Sequence, residues 1–258
     1  EALDQVGAVI GPLILAAVFL AKGDYRSGLG IMAIPALLAL AALVVAWRRA
    51  PSPEALEAPA DPSTAPNNSD GRLGRAFWAY AAFSFVSVAG FAGFPLISFH
   101  LVGRSVVPQA QVAVLYAVAM GIDAGAALLV GKAYDRMGLA SLWIIPPLSA
   151  AVALLGFSAQ YGLALAGVIL WGVVMATHET TMRAAVADLT TRDRRATAYG
   201  IFNAVYGAAW FVGSAAMGLL YTQGISYVMI LAAALQALAI PALLATRRAE
   251  QAVIPPSA

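Results

Sequence analysis

Asp123 stands inside the apolar run from Gln111 to Val130, and the charged segment Gly131-Lys-Ala-Tyr-Asp135-Arg136-Met-Gly138 follows directly. A second run is interrupted by Thr177, His178, Glu179, Thr180, Thr181 and Arg183. An ionised side chain at the centre of a bilayer costs about 2.5–3.5 kcal/mol by the lower scales, so such groups face a protein interior or a water-filled path. A carboxylate there can load and release a proton during a transport cycle. The alternative for Asp123 is a structural acid bonded to Ser, Thr or Arg on a neighbouring helix. Asp123 precedes Asp135 by about 18 Å at 1.5 Å per residue, which places it near the depth where carriers hold solutes and ions.

Glu179 and Arg183 are spaced i, i+4 with the acid first, the better order for an internal pair, and such a pair can be purely structural. His178 is turned about 100° from Glu179 on a helix, so one of the two faces a cavity while the other packs. Asn203, Tyr206 and Trp210 fall on one stripe, either a cavity wall for an organic solute or a helix contact. His100, close to Arg104, reads as an interfacial histidine rather than a ligand. Asp135 and Arg136 either latch one conformation, by pairing with helix N-terminal NH groups or an Arg across the bundle, or form an ordinary charged turn. Gly131 and Gly138 would let the two helix ends approach.

The elements that position these residues follow from composition. Apolar residues make up 61% and charged residues 11% of the chain, with a mean hydropathy of +0.81. A soluble domain carries about 45–50% apolar and about 25% charged residues. The class is therefore all-α, a polytopic helix bundle in a lipid bilayer. The chain has no cysteine and two histidines, so thiolate and His-rich metal sites are excluded, and no cofactor or nucleic-acid partner is expected. The first residue is Glu1, and acidic Glu1 and Asp4 flank the first apolar stretch. That is the wrong flank for a signal peptide, and more protein is expected upstream.

Eight stretches approach the roughly 20 residues that a spanning helix needs: 6–22, 28–47, 77–102, 110–131, 139–158, 162–187, 199–222 and 225–246. Between the second and third, residues 50–76 hold Pro51, Pro53, Pro59, Pro62 and Pro66 among polar residues, the composition of a flexible linker. Alternating the spans puts Arg48, Arg49, Arg72, Arg75, Lys132, Arg136, Arg192, Arg194, Arg195, Arg247 and Arg248 on one side. Lys22, Arg26 and Arg104 fall on the other. The first side is therefore expected to be cytoplasmic, together with both ends of the chain. Spans 28–47, 139–158 and 225–246 carry almost no polar residues and are expected on the lipid-facing outside.

Three stretches in register with the linker resemble the major facilitator superfamily. Gly7-Ala-Val-Ile-Gly11-Pro12 resembles the Gly-xxx-Gly-Pro motif of that family's fifth helix, often associated with antiporters. Gly131 to Gly138 resembles its Gly-xxx-Asp-Arg-x-Gly loop. Asp193 to Asn203 resembles the entry into helix eleven of many bacterial members. The resemblance implies helices five to twelve of a twelve-helix carrier. Residues 1–49 would end the N-terminal half, 50–76 would link, 77–248 would form the six-helix second half, and 249–258 a cytoplasmic tail. It further implies a monomeric, multi-pass protein of the cytoplasmic membrane that moves a small solute by alternating access, with protons as coupling ion and efflux as direction. The sequence has no phosphate-binding Gly-x-x-x-x-Gly-Lys-Ser/Thr loop for ATP-driven transport. An intramembrane hydrolase would lack ligands, since no His-Glu-x-x-His occurs. A non-transporting membrane scaffold is the remaining alternative.

Overall fold

A computed structural model describes residues 2–21, 24–49 and 73–252, all helices and short connections, with no strand among the described residues. Apolar runs must satisfy their own backbone in lipid, and the helix does this within one segment. The helices are α1 (Ala2–Leu20), α2 (Tyr25–Arg49), α3 (Arg75–Ala89), α4 (Phe94–Gly103), α5 (Gln109–Met137), α6 (Ile145–Gly156), α7 (Tyr161–Ala176), α8 (Met182–Asp188), α9 (Arg195–Gln223) and α10 (Ile225–Gln251). A π turn, Thr177–Thr181, joins α7 to α8, and a 3-10 segment, Gly138–Ile144, joins α5 to α6. The expected linker lies outside the described residues from 50 to 72, and α3 begins at Arg75.

Among the described residues six helical stretches are long and apolar enough to cross a membrane, and Val6–Val18 is a shorter apolar helix. The expected count of eight is therefore not confirmed. One of the six, Gln109–Gly156, runs for 48 residues. At 1.5 Å per residue that is about 72 Å, far more than a hydrocarbon core of about 30 Å, so the stretch must fold back. It does so at Gly138, whose φ of 56° ends α5 while its NH still bonds the Tyr134 carbonyl. The expected turn at 131–138 is thus mostly helix, because nothing before Gly138 breaks the repeat. Asp135 and Arg136 occupy the last exposed turn of α5.

The expected span 77–102 lies within one apolar stretch, Arg75–Gly103, but its helix is interrupted. It breaks after Ala89 and resumes at Phe94, with Gly90, Gly93 and the early Pro95 marking the gap. Two apolar cores result. One gathers Phe91, Ile97, Leu115, Trp171, Met217 and Val228. The other gathers Phe77, Tyr134, Leu139, Val186, Ala198 and Leu243. Because the second core joins residues next to Arg75, Arg136, Arg195 and Arg247, the basic helix ends lie together. Buried Ser84, Ser87, Asp123, Thr177, His178, Thr181 and Gln236 lie along the helices between the two cores.

Helix contacts follow small residues. α5 and α7 run side by side, with Ala119 against Gly172 and Ala126 and Ala127 against Ala176, and a Cβ added at Gly131 would lie 3.5 Å from the Thr180 methyl group. α1 packs along α5, and α2 packs on α1. Among its described residues α2 buries Gly28 alone and exposes nearly all the others. α6 buries Ile145, Ser149, Val152 and Ala153 and exposes Pro147 and Leu154. α9, though partly polar, exposes Asn203, Gly207, Phe211 and Leu219.

Candidate substrate cavity

Two irregular backbone segments meet between the cores: the gap at Gly90–Gly93 and the π turn at Thr177–Thr181. Irregular backbone at membrane depth is tolerated where protein satisfies it or where it lines a cavity, and π turns are frequent at functional sites. The Trp171 indole NH donates to the Ala92 carbonyl at 3.0 Å, which serves an acceptor that the helix break leaves free. Phe91, carried in the gap, packs its ring 5.1 Å from that of His178 on the π turn. Thr177 and Thr181 donate their hydroxyls back to Val173 and Thr177 carbonyls, which keeps the turn ordered.

From His178 an aromatic wall extends in both directions. Tyr206 stands edge-on to His178 at 6.2 Å and stacks on Trp210 at 6.0 Å. Phe91 stacks on Trp171 at 5.8 Å. Trp171 in turn meets Phe94 at 5.5 Å and Tyr116 at 6.2 Å. Beyond that wall, α1, α4 and α5 border an open groove of about 710 Å³ lined by Pro12, Pro95, Phe94, Phe99 and Tyr116. On the other side of α4, a smaller cavity of about 370 Å³ lies under Trp210 and Ser214 and shares Pro95 and Phe99 with the first.

The structure brings several of the expected site residues together. Asp123 is fully buried, one helical turn beyond the Ala119–Gly172 contact. Tyr116 lies within electrostatic reach of both Asp123 and Glu179, and Tyr206 within reach of Glu179 and Arg183. His178 is buried, and neither of its ring nitrogens has a hydrogen-bond partner among the described residues. Leaving a buried polar group in that state costs about 1–3 kcal/mol, a cost expected at a functional position rather than in a plain core. Glu179 is half-buried and Arg183 exposed, while Asn203 is exposed on α9 away from the wall's rings. His100, in the last turn of α4 before Arg104, is buried in the bundle, and its Nδ1 lies 3.0 Å from the Tyr221 hydroxyl.

Of the helix-five motif, Pro12 lines the larger groove, a Cβ added at Gly11 would lie 3.1 Å from the Met32 methyl group, and one added at Gly7 would meet nothing within 4 Å. Phe91, Phe94, Tyr116 and Trp171 were not singled out from sequence. The signal that marks them is the Gly90-Phe91-Ala92-Gly93-Phe94-Pro95 string, too rich in glycine for an uninterrupted helix.

At the basic end, Tyr134 donates its hydroxyl to Asp188 at 2.8 Å and so ties α5 to α8. Arg195 donates to the Ala187 carbonyl at 3.2 Å, and Tyr199 to the Arg183 carbonyl at 3.1 Å. The side chain that joins these elements is thus Tyr134, next to the expected Asp135. Because Asp188 is exposed, the Tyr134 bond contributes only about 1 kcal/mol. A double-mutant cycle of Tyr134→Phe and Asp188→Asn should return that coupling in thermal melts, and a coupling near zero would remove the tie.

Comparison with known proteins agrees with this architecture. The family model described as Major Facilitator Superfamily matches residues 109–258. The chain belongs to the major facilitator superfamily. Its members are transporters rather than enzymes and sit in a lipid bilayer, which makes this a multi-pass membrane protein. Uncharacterized proteins of Mycobacterium bovis and of two strains of Mycobacterium tuberculosis are each 40% identical over 251 residues, 96% of this chain. The chain spans 61% of the length of these relatives. No solved structure gives a significant match.

Proposed function

We propose that this chain supplies the second half, and the end of the first half, of a secondary transporter that moves a small solute by alternating access, with protons as coupling ion and export as direction. The observation that carries the reading is the meeting of the Gly90–Gly93 gap and the π turn beside a buried acid. Discontinuous helices at the middle of a bundle are how carriers of this kind build solute and ion sites. Asp123 is the proton carrier in this reading, with Glu179 and His178 beside the solute. Gly131, Asp135, Arg136 and Gly138 form the conformational latch, helped by Tyr134. The basic helix ends face the cytoplasm, which orients the protein in the cytoplasmic membrane as a monomer with both described ends inside.

The test uses the whole protein, upstream helices included, in proteoliposomes. Asp123→Asn should reduce proton-driven net flux at least tenfold yet leave solute exchange at equal pH within about twofold. Asn cannot load the coupling proton, so uphill antiport stops, while solute held beside Glu179 and His178 still carries the loaded protein across in exchange. Unchanged net flux would end the carrier role. Equal loss of flux and exchange would make Asp123 structural.

A further inference from the structure

We propose that neutral His100 clasps the outer end of α4 to α9, and that its protonation from an acidic exterior releases that end. The side from which acid acts rests on the orientation proposed above; the clasp itself does not. α4 is a rod of 10 residues between two joints. The Gly90–Gly93 gap precedes it, and Ser105 follows it with φ 55°, a conformation that residues other than glycine rarely adopt. Along this rod α4 and α9 run parallel and in register. A Cβ added at Gly93 would lie 4.0 Å from the Ser214 Oγ, and seven residues on in both helices His100 meets Tyr221 at 3.0 Å. Between those two points lies the space of about 370 Å³ under Trp210 and Ser214. His100 therefore ties its outer end shut.

The site suits a neutral imidazole. The Nδ1 faces the Tyr221 hydroxyl, and the Phe157 backbone at the end of α6 is a further hydrogen-bond partner of the ring. A carbonyl only accepts, so the single N–H of a neutral ring goes to Phe157 and Nδ1 accepts the Tyr221 proton. The Phe157 and Tyr221 rings stand edge-on to His100 at 5.4 and 5.7 Å. A second proton would put a charge on a side chain only 3% exposed, and a buried charge is costly unless it is paired. Among the described residues no carboxylate lies within ion-pair distance of the ring. The titratable and charged groups beside it are Tyr221 on α9 and Arg104, one turn on in its own chain and of like charge; the end of α6 brings only Phe157. Tyr161 and Tyr227, near the starts of α7 and α10, are exposed, and Asp24 is exposed and bonded to Ser27. In water an imidazole takes its proton near about pH 6.5, so below that the released form gains about tenfold on the clasped form per pH unit. An acidic exterior also drives the proposed proton antiport, so the condition that powers export would loosen the end through which solute leaves.

The test measures amide hydrogen exchange of the whole protein in nanodiscs at pH 7.5 and 5.0, each rate divided by the intrinsic rate at that pH. Protection across residues 97–104 is then compared with that of α10 in the same sample, so a general loss of stability cancels. In the wild type this relative protection should fall at least tenfold at the lower pH. His100→Gln stays neutral and its carbonyl can still accept the Tyr221 hydroxyl, so protection should hold at both pH values. Tyr221→Phe lacks the clasp, so protection should be low at both and the pH ratio close to one. Should the Gln variant fail to fold, the Phe variant still decides. A wild-type ratio of one would overturn the clasp. So would an acid response that persists in either variant, or one shared equally by α10. The measurement needs neither flux nor solute: if transport proves independent of protons while the acid response stands, the coupling falls and the clasp remains.

Discussion

Gly172→Ala is expected to lower the thermal midpoint of the purified protein by about 5–10 °C, on the scale of roughly 2–4 °C per kcal/mol for a domain of this size. A Cβ at this position would sit 2.3 Å from the Ala119 carbonyl oxygen and 3.2 Å from the Ile122 Cβ. The first obstacle is backbone in the middle of α5, which no rotamer change can move. Helices α5 and α7 would have to part, which would open the Ala126, Ala127 and Ala176 contact below. Forcing extra atoms into a packed site costs about 1–3 kcal/mol, and here the displaced partner carries Asp123. Gly121→Ala, on α5, is the control, because its Cβ would meet nothing within 4 Å. An equal fall in both variants would point to glycine's backbone freedom rather than the α5–α7 contact.

That contact also separates what sequence could tell from what it could not. A polar group in an apolar run is conspicuous, so the burial of Asp123, Thr177, His178 and Thr181 was legible, while Arg183 of the same group is exposed. Their meeting was not, since it depends on α5 and α7 lying side by side through Ala119 and Gly172. Glycine in a membrane span is common and carries no mark of which partner it admits. The aromatic wall was hidden for a related reason. Phe91, Phe94, Tyr116 and Trp171 sit among other apolar residues, and nothing local separates a wall ring from a lipid-facing one. His100 shows the same limit, because its partner Tyr221 lies 121 residues away. The end of α5 was misplaced on different grounds: charge at Lys132, Asp135 and Arg136 suggested a turn, yet charged residues continue a helix readily and only Gly138 stops it.

The break between α3 and α4 and the π turn act as one device. Each leaves backbone groups outside the regular helical pattern, and each is held by side chains of a neighbour or of its own turn. Tyr80 donates to the Met182 carbonyl at 2.7 Å just past the π turn, as Trp171 does to Ala92 at the break. Gln236 donates to the Ser87 carbonyl at 2.8 Å on the other side of the break. Helices held this way can change their bend by exchanging a few hydrogen bonds while the apolar cores on either side stay packed. Rigid ends with a jointed middle would suit the alternating access proposed for the whole protein.

Trp171 is the side chain on which that arrangement most depends, and its substitutions should separate two contributions. Trp171→Phe keeps a ring against Phe91, Phe94 and Tyr116 but removes the donor to the Ala92 carbonyl. A buried acceptor left without a partner costs about 1–3 kcal/mol. Trp171→Ala loses the ring as well, for a total of about 3–5 kcal/mol as in other large-to-small core changes. Thermal midpoints should therefore fall in the order wild type, Phe, Ala. Amide hydrogen exchange should discriminate further: the Phe variant should speed exchange across residues 90–97, where the break is held, and leave α10 beyond Gln236 unchanged. A Phe variant as stable as wild type, with unaltered exchange at the break, would mean that the Ala92 carbonyl does not depend on Trp171. A general increase along every helix would assign the loss to core packing alone.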